Sequence, residues 1–252
     1  MLRQLIVYVR IVLPSVWMFY QSTGVKLTDQ NSGIDPRDQQ TYYFSMTPFR
    51  SVVMFVLRGV FKGFSIIRDE GVENLPLEGP VIVAANHLSI YDPFTLQFVL
   101  PRPLFFMGKA ELFQNQFASW VFRQLGGFPV YRGERDEWAI RHSRQVLEQG
   151  QALGMFPEGT RTRGKGLHIA KPGVARLALA VKCPIVPAAL HGPQYMFRHF
   201  PRRTQVSISL GEPIIPERWE TTLNLTDRMM FAIADLLPPE ARGIYLHRPA
   251  GF

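Results

Sequence analysis

The chain has 252 residues, 46% apolar and 12% aromatic, which allows a sizeable core and excludes a disordered chain. Its formal net charge of +8 calls for an anionic partner. No nucleic-acid-binding motif accompanies the charge, so lipid or a phosphorylated substrate fits better than DNA or RNA. A single cysteine, Cys183, rules out an internal disulfide and fits a reducing compartment. No histidines pair at metal-ligand spacing, so neither a metal nor a cofactor is expected.

Two apolar stretches, residues 5–20 and 51–67, enclose a polar segment, 21–40. The first carries Arg10 and Pro14, the second Arg58 and Lys62. A membrane span needs roughly 20 uninterrupted apolar residues, and a charge within it is costly, so neither reads as a crossing helix. On helical wheels Arg3, Arg10 and Gln21 share one narrow stripe; Ser51, Arg58, Lys62 and Ser65 share another. Apolar cylinders with basic stripes suit helices lying in the membrane interface, their cations among the headgroups. A spanning helix and a cleaved secretory signal are the alternatives; against the signal stands the bulk of Val16-Trp17-Met18-Phe19-Tyr20. Residues 1–67 are therefore expected to form a membrane-associating helical pair, and 68–252 a separate domain.

Within that domain Val81–Ala85 is short, wholly apolar and rich in β-branched residues, as a strand buried on both faces should be. Asp92-Pro93 signals a helix start, with Asp as cap and Pro in the first turn. A helix is predicted over 134–149, stopped by Gly150, then a strand over 152–156. A small-residue helix follows over 173–182 and a strand over 185–190. Residues 204–210 alternate as a strand does, and 226–237 form a terminal helix closed by Pro238-Pro239. Strands alternating with helices predict an α/β fold with a largely parallel, mixed sheet and flanking helices.

The chemistry-bearing residues fall in loops. His87 and Asp92 lie five apart in Asn86-His87-Leu88-Ser89-Ile90-Tyr91-Asp92, the wrong spacing for one helical face. The loop must fold back to pair them. An imidazole, with a pKa near ~6.5, suits a general base, and a carboxylate beside it would fix its tautomer. The plainer roles are a hydrogen-bonded loop histidine and a helix cap. Ser89 lacks a Gly-x-Ser-x-Gly elbow and is a poor nucleophile candidate, and Cys183 reads as a buried small residue. Phe156-Pro157-Glu158-Gly159-Thr160-Arg161-Thr162 sets a guanidinium in a Gly-bearing turn, where Arg161 and the Gly159 and Thr160 N–H groups could grip an anion.

Four blocks in this order resemble the glycerolipid acyltransferase family: Asn86-His87 with Asp92, Gly126-Gly127-Phe128-Pro129-Val130-Tyr131-Arg132, Phe156 to Thr162, and Ile185-Val186-Pro187-Ala188-Ala189-Leu190. Leu88 stands where the family usually has Gln, and Thr162 where it has Ser. The resemblance implies transfer of a fatty acyl group from acyl-CoA or acyl-carrier protein to the free hydroxyl of 1-acylglycerol 3-phosphate (lysophosphatidate), giving phosphatidate. His87 would be the base, Asp92 its partner and Arg161 the phosphate ligand. Lys109, in Gly108-Lys109-Ala110-Glu111-Leu112, and Arg132 would be further ligands. Glu158 would face an acceptor hydroxyl or Arg161. The basic loop of Arg163, Lys165, His168 and Lys171 fits the donor's phosphates or a solvated, lipid-facing surface equally well. The implied location is peripheral or monotopic, on the cytoplasmic face of a membrane. Alternatives are the same chemistry on glycerol 3-phosphate, a lysophospholipid or another alcohol, and a non-catalytic lipid-binding protein on the same scaffold.

Overall fold

A computed structural model describes residues 35–42, 48–133, 136–162, 164–198 and 200–248. The first apolar stretch, with Arg3, Arg10 and Gln21, lies outside the described residues. The chain divides into two compact units, residues 1–41 and 42–252. Of the first, the described part is a 3-10 turn, Pro36–Gln39, preceded by Asp35, which accepts the Arg37 N–H and holds its guanidinium at 2.6 Å.

The second unit is built on seven strands: β1 (Ser65–Glu70), β2 (Val81–Ala85), β3 (Leu104–Lys109), β4 (Gly127–Val130), β5 (Ala152–Met155), β6 (Ile185–His191) and β7 (Thr204–Leu210). They form one sheet in the order β1-β7-β6-β2-β5-β3-β4. β2 to β6 share one direction; β7 runs against β6, and β1 follows β7. Its described helices are α1 (Pro48–Phe64), α2 (Asp92–Val99), α3 (Gln116–Gln124), α4 (Glu137–Glu148), α5 (Gly173–Val181) and α6 (Thr222–Asp235), beside short 3-10 turns. The fold is thus α/β with a mostly parallel, mixed sheet.

All five residues of β2 are buried, and its pleat divides them between two cores. Ile82 and Ala84 pack with Val146, Leu147, Val174, Ala178, Leu225 and Met229 of α4, α5 and α6. Val81, Val83 and Ala85 pack on the other face with Leu96 of α2. At the strands' N-terminal end, Arg102 donates to the carbonyls of Pro76, Gly79 and Gly150 and ties three loops together.

Caps account for the shifts in helix ends. α4 starts at Glu137 because the Asp136 carboxylate accepts the Ala139 N–H at 3.0 Å. α6 starts at Thr222, ahead of the expected 226, because Thr221 Oγ1 accepts the Asn224 N–H.

The second apolar stretch departs further from expectation. Its helix, α1, ends at Phe64, and residues 65–67 belong to β1, so the boundary expected after residue 67 falls inside a strand of the sheet. The basic stripe is split: Ser51 and Lys62 are exposed, while Arg58 and Ser65 turn toward the protein. Arg58 donates to the carbonyl of Leu100 at the C-terminal cap of α2, and Ser65 is buried, bonded to the Phe61 carbonyl. Buried Arg50 donates to the carbonyl of Gln124, the last residue of α3. Helix C-termini leave carbonyls without partners, and guanidinium groups satisfy them. With Arg50 and Arg58 turned inward and Lys62 exposed, α1 also exposes Phe49, Val52, Phe55, Val56 and Val60, Phe55 to 80%.

Candidate active site

The candidate residues converge on the edge where the parallel strands end. His87 follows β2, the Glu158–Arg161 turn follows β5, Lys109 is the last residue of β3, and Arg132 lies just past β4. Ligands of open α/β sheets bind at this end.

The loop after β2 folds back as its spacing requires. His87 Nδ1 meets Asp92 Oδ2 at 2.8 Å, leaving Nε2 as the ring's other nitrogen. Asp92 is fully buried. Its Oδ2 also accepts the N–H groups of Leu88 and Ser89, at 2.6 and 2.8 Å, and its Oδ1 accepts the Ser89 hydroxyl at 2.9 Å. Asp92 therefore does not cap its own helix; the carboxylate turns back into the loop, and no side chain caps α2. Ser89 Oγ accepts the Tyr91 N–H as well, which makes it part of the loop's framework. The His87 ring stacks on Phe156, centroids 4.2 Å apart and planes 19° apart, and Phe156 in turn lies 6.2 Å from Phe106. Phe106 crosses β5 at Gly154, where a Cβ would come within 2.1 Å of its ring.

The backbone of His87 is held by the second block. Its N–H donates to Glu158 Oε1 at 3.0 Å, and its carbonyl accepts the Thr162 N–H at 2.8 Å. Glu158 Oε2 accepts the His168 N–H at 3.2 Å. The carboxyl is 2% exposed and spans two loops; Arg161, one of its two expected partners, is not among its contacts. Burial pushes it up to about 7 against the pull of the two N–H groups, with nearby Asp92 adding to the rise. Asn86 fixes the loop to β6 by donating to the Leu190 carbonyl and accepting its N–H.

Gly159 has φ +65 and closes a turn with its N–H on the Phe156 carbonyl. Of the two expected backbone donors, that leaves the N–H of Thr160 for an anion. Arg161 is exposed and makes no ion pair with any described residue. Lys171 lies over this turn, since a Cβ at Gly159 would come within 3.2 Å of its Cδ and Cε and 3.4 Å of its Nζ. Of the other basic-loop residues, Arg163 lies outside the described residues.

Lys109 and Arg132 stand farther along the edge, β5 separating β3 from β2. The Lys109 ammonium is half exposed and pairs with Glu111 at 2.9 Å. The Glu111 carboxyl is lowered first by the Lys109 hydrogen bond, with Arg132 a smaller contributor. Glu111 thus pairs with Lys109, and Arg132 acts on it only from a greater distance. Cys183 is buried and its thiol pushed up to about 11 by burial, as suits a packing residue.

The arrangement offers an imidazole held by a buried carboxylate, with cations along the same edge and, among the described residues, no serine or cysteine set beside a base as a nucleophile. The family model described as Acyltransferase matches residues 66–191, β1 through β6 and every candidate residue above. The chain belongs to the acyltransferase family. Among its relatives is the Bacillus subtilis 1-acyl-sn-glycerol-3-phosphate acyltransferase, 32% identical over 163 residues, 64% of this chain and 77% of that protein. The Borreliella burgdorferi protein of the same name is 30% identical over 129 residues, 50% of this chain and 52% of its own. Among solved structures, the Thermotoga maritima 1-acyl-sn-glycerophosphate acyltransferase, PlsC, aligns with a TM-score of 0.62 and 25% identity, covering 74% of this acyltransferase and 79% of that chain.

Sequence reasoning missed the roles of Asn86, Phe156 and Glu158 in holding the His87 loop. An asparagine beside the histidine and an aromatic residue before Pro157 were the available signals.

Proposed function

We propose that this acyltransferase moves a fatty acyl group from an acyl thioester, acyl-CoA or acyl-carrier protein, to the free hydroxyl of 1-acylglycerol 3-phosphate, giving phosphatidate. The observation that carries the reading is the 2.8 Å contact of His87 with buried Asp92, in a loop held at both backbone atoms of the histidine. His87 Nε2 takes the proton of the acceptor hydroxyl, and Asp92 stabilises the imidazolium. The oxygen attacks the thioester carbonyl, the C–O bond forms, the C–S bond breaks, and the thiolate leaves with the proton from His87. A thiol is a good leaving group, so the demand falls on the nucleophile. Arg161, with Lys171 over the same turn, takes the acceptor phosphate. Lys109 and Arg132 add positive potential along the edge.

The acceptor's acyl chain keeps it in a bilayer, and the exposed apolar face of α1 supports a peripheral or monotopic position there. No described helix is long and apolar enough to cross a membrane. The cytoplasmic face fits the acyl thioester donors.

The test is a panel assay. Purified full-length protein, with labelled acyl-CoA or acyl-carrier protein, should turn over lysophosphatidate faster than glycerol 3-phosphate or lysophosphatidylcholine. Initial-rate lines should intersect, with no acyl-enzyme when acceptor is withheld. Preference for a phosphate-free alcohol would overturn the acceptor, and an acyl group trapped on the protein would overturn the mechanism.

A further inference from the structure

Residues 192–203 connect β6 to β7 and expose an unusual surface. Phe200 is 67% exposed, Phe197 47% and Tyr195 41%. Arg198, Arg202 and Arg203 are interleaved with them, no acidic residue occurs in the connection, and the Arg198 guanidinium lies 5.9 Å from the Tyr195 ring. Phe197 and Phe200 both pack against Phe64, the last residue of α1, at centroid distances of 5.2 and 6.1 Å. Arg203 donates to the carbonyls of Lys62 and Ser65, each at 2.6 Å, and fastens the connection to the end of α1. Phe197 has φ +63, a left-handed conformation disfavoured for a bulky side chain, yet nearly half of the residue is in water.

The strand registers place this surface. His191 lies opposite Ser207, and Ser65 opposite Thr204, so the connection and the end of α1 sit at the sheet edge that carries His87. Phe197 also meets Tyr91 edge-on at 5.7 Å, one residue before Asp92. Aromatic rings with interleaved guanidinium groups match a bilayer interface, where rings lie at headgroup level and cations meet lipid phosphates.

We infer that Tyr195, Phe197, Arg198, Phe200 and Arg202 form a second membrane-contact element, which docks on anionic phospholipid headgroups in continuity with the exposed face of α1. The inference rests on that face meeting lipid, and Phe64 is where the two surfaces join. A lipid acceptor rising between them passes Phe197 and Tyr91 on its way to His87.

The test uses the full chain with single cysteines introduced as Phe200→Cys, Phe55→Cys and Gln149→Cys, each labelled with an environment-sensitive fluorophore. Native Cys183 is buried and escapes labelling. With vesicles of phosphatidylcholine plus phosphatidylglycerol, labels at 200 and 55 should brighten and be quenched by nitroxide lipids. The label at 149, just before β5 at the opposite end of the sheet, should not change. Replacing Arg198→Gln and Arg202→Gln together should weaken binding to the anionic vesicles about five-fold per cation removed. Binding to phosphatidylcholine alone and turnover of a short-chain, water-soluble acceptor should stay unchanged. A bright label at 55 with a dark one at 200 overturns the inference and leaves the reading of α1 standing. Dark labels at both overturn both. Loss of soluble-acceptor turnover in the arginine variant also overturns it, since the connection would then serve the fold or the site.

Discussion

Two parts of the catalytic edge are built on opposite plans. Around His87, nearly every polar group is committed: Asp92 takes three donors besides the ring, Glu158 ties two loops, and Asn86 bridges to β6. Along β3 and β4, Lys109 and Arg132 stand in solvent, and Lys109 pairs with Glu111. The difference suits the proposed roles of the two groups. A base works only within hydrogen-bond reach of one proton, so its geometry has to be fixed before substrate arrives. A cation that raises local potential acts at longer range and tolerates motion.

Mutations can break this contrast, beginning with the largest effect. His87→Ala should lower kcat by about 10²–10⁴-fold with little change in acceptor KM. Asp92→Asn should also cost kcat, because an amide both disturbs the tautomer and cannot accept from all of Asp92's present donors. Steady-state kinetics on both variants decides the point: wild-type kcat in Asp92→Asn would reduce the contact to loop structure.

Arg161→Ala should cost about 2–4 kcal/mol in kcat/KM, expressed in the KM for the phosphorylated acceptor and not for the donor. Lysine at 161 should rescue only in part, lacking the planar fork. An unchanged acceptor KM would move the phosphate toward Lys171 or Lys109.

Glu158→Gln should cost about 1–3 kcal/mol of stability, because the amide has one acceptor oxygen for two buried N–H groups. The substitution also removes a pH dependence. With its carboxyl raised from 4.5 to about 7, the native state holds the proton across that window while the unfolded chain releases it. Its contribution to stability therefore falls as pH rises from 4.5 to about 7. Urea unfolding on both sides of the window should show this slope in the native protein, and the glutamine variant should lack that part of it.

Lys109→Ala should have the smallest effect, under about 1 kcal/mol in kcat/KM, since its ion pair is exposed and screened. A loss as large as that of Arg161→Ala would place Lys109 on the substrate and end the contrast.

Much of this was legible in the sequence where local chemistry decides. The buried run Val81–Ala85 and the alternation of Thr204–Leu210 gave strands with the observed bounds, and the five-residue spacing of His87 and Asp92 required the fold-back that pairs them. β1, β3 and β4 were not expected. Ser65–Glu70 carries three charged residues on an edge strand, and Gly127–Val130 contains a proline, so neither has a strand's usual composition. The inward turn of Arg58 was hidden for another reason: its partner, the Leu100 carbonyl, is 42 residues away. A helical wheel finds a polar stripe but not whether water or an open helix end will face it.

The reversal of β7 has a consequence for which segments gather at one end of the sheet. A parallel neighbour to β6 would need a crossover that carried the chain to the opposite end of the sheet. Running the other way, β7 lets the connection remain at the end of the sheet that carries His87, and β1, following it, sets the last turn of α1 down there too. One antiparallel pair thereby gathers the end of α1, the β6–β7 connection and the His87 loop at one end of the sheet, with the loops tied by Arg102 at the other.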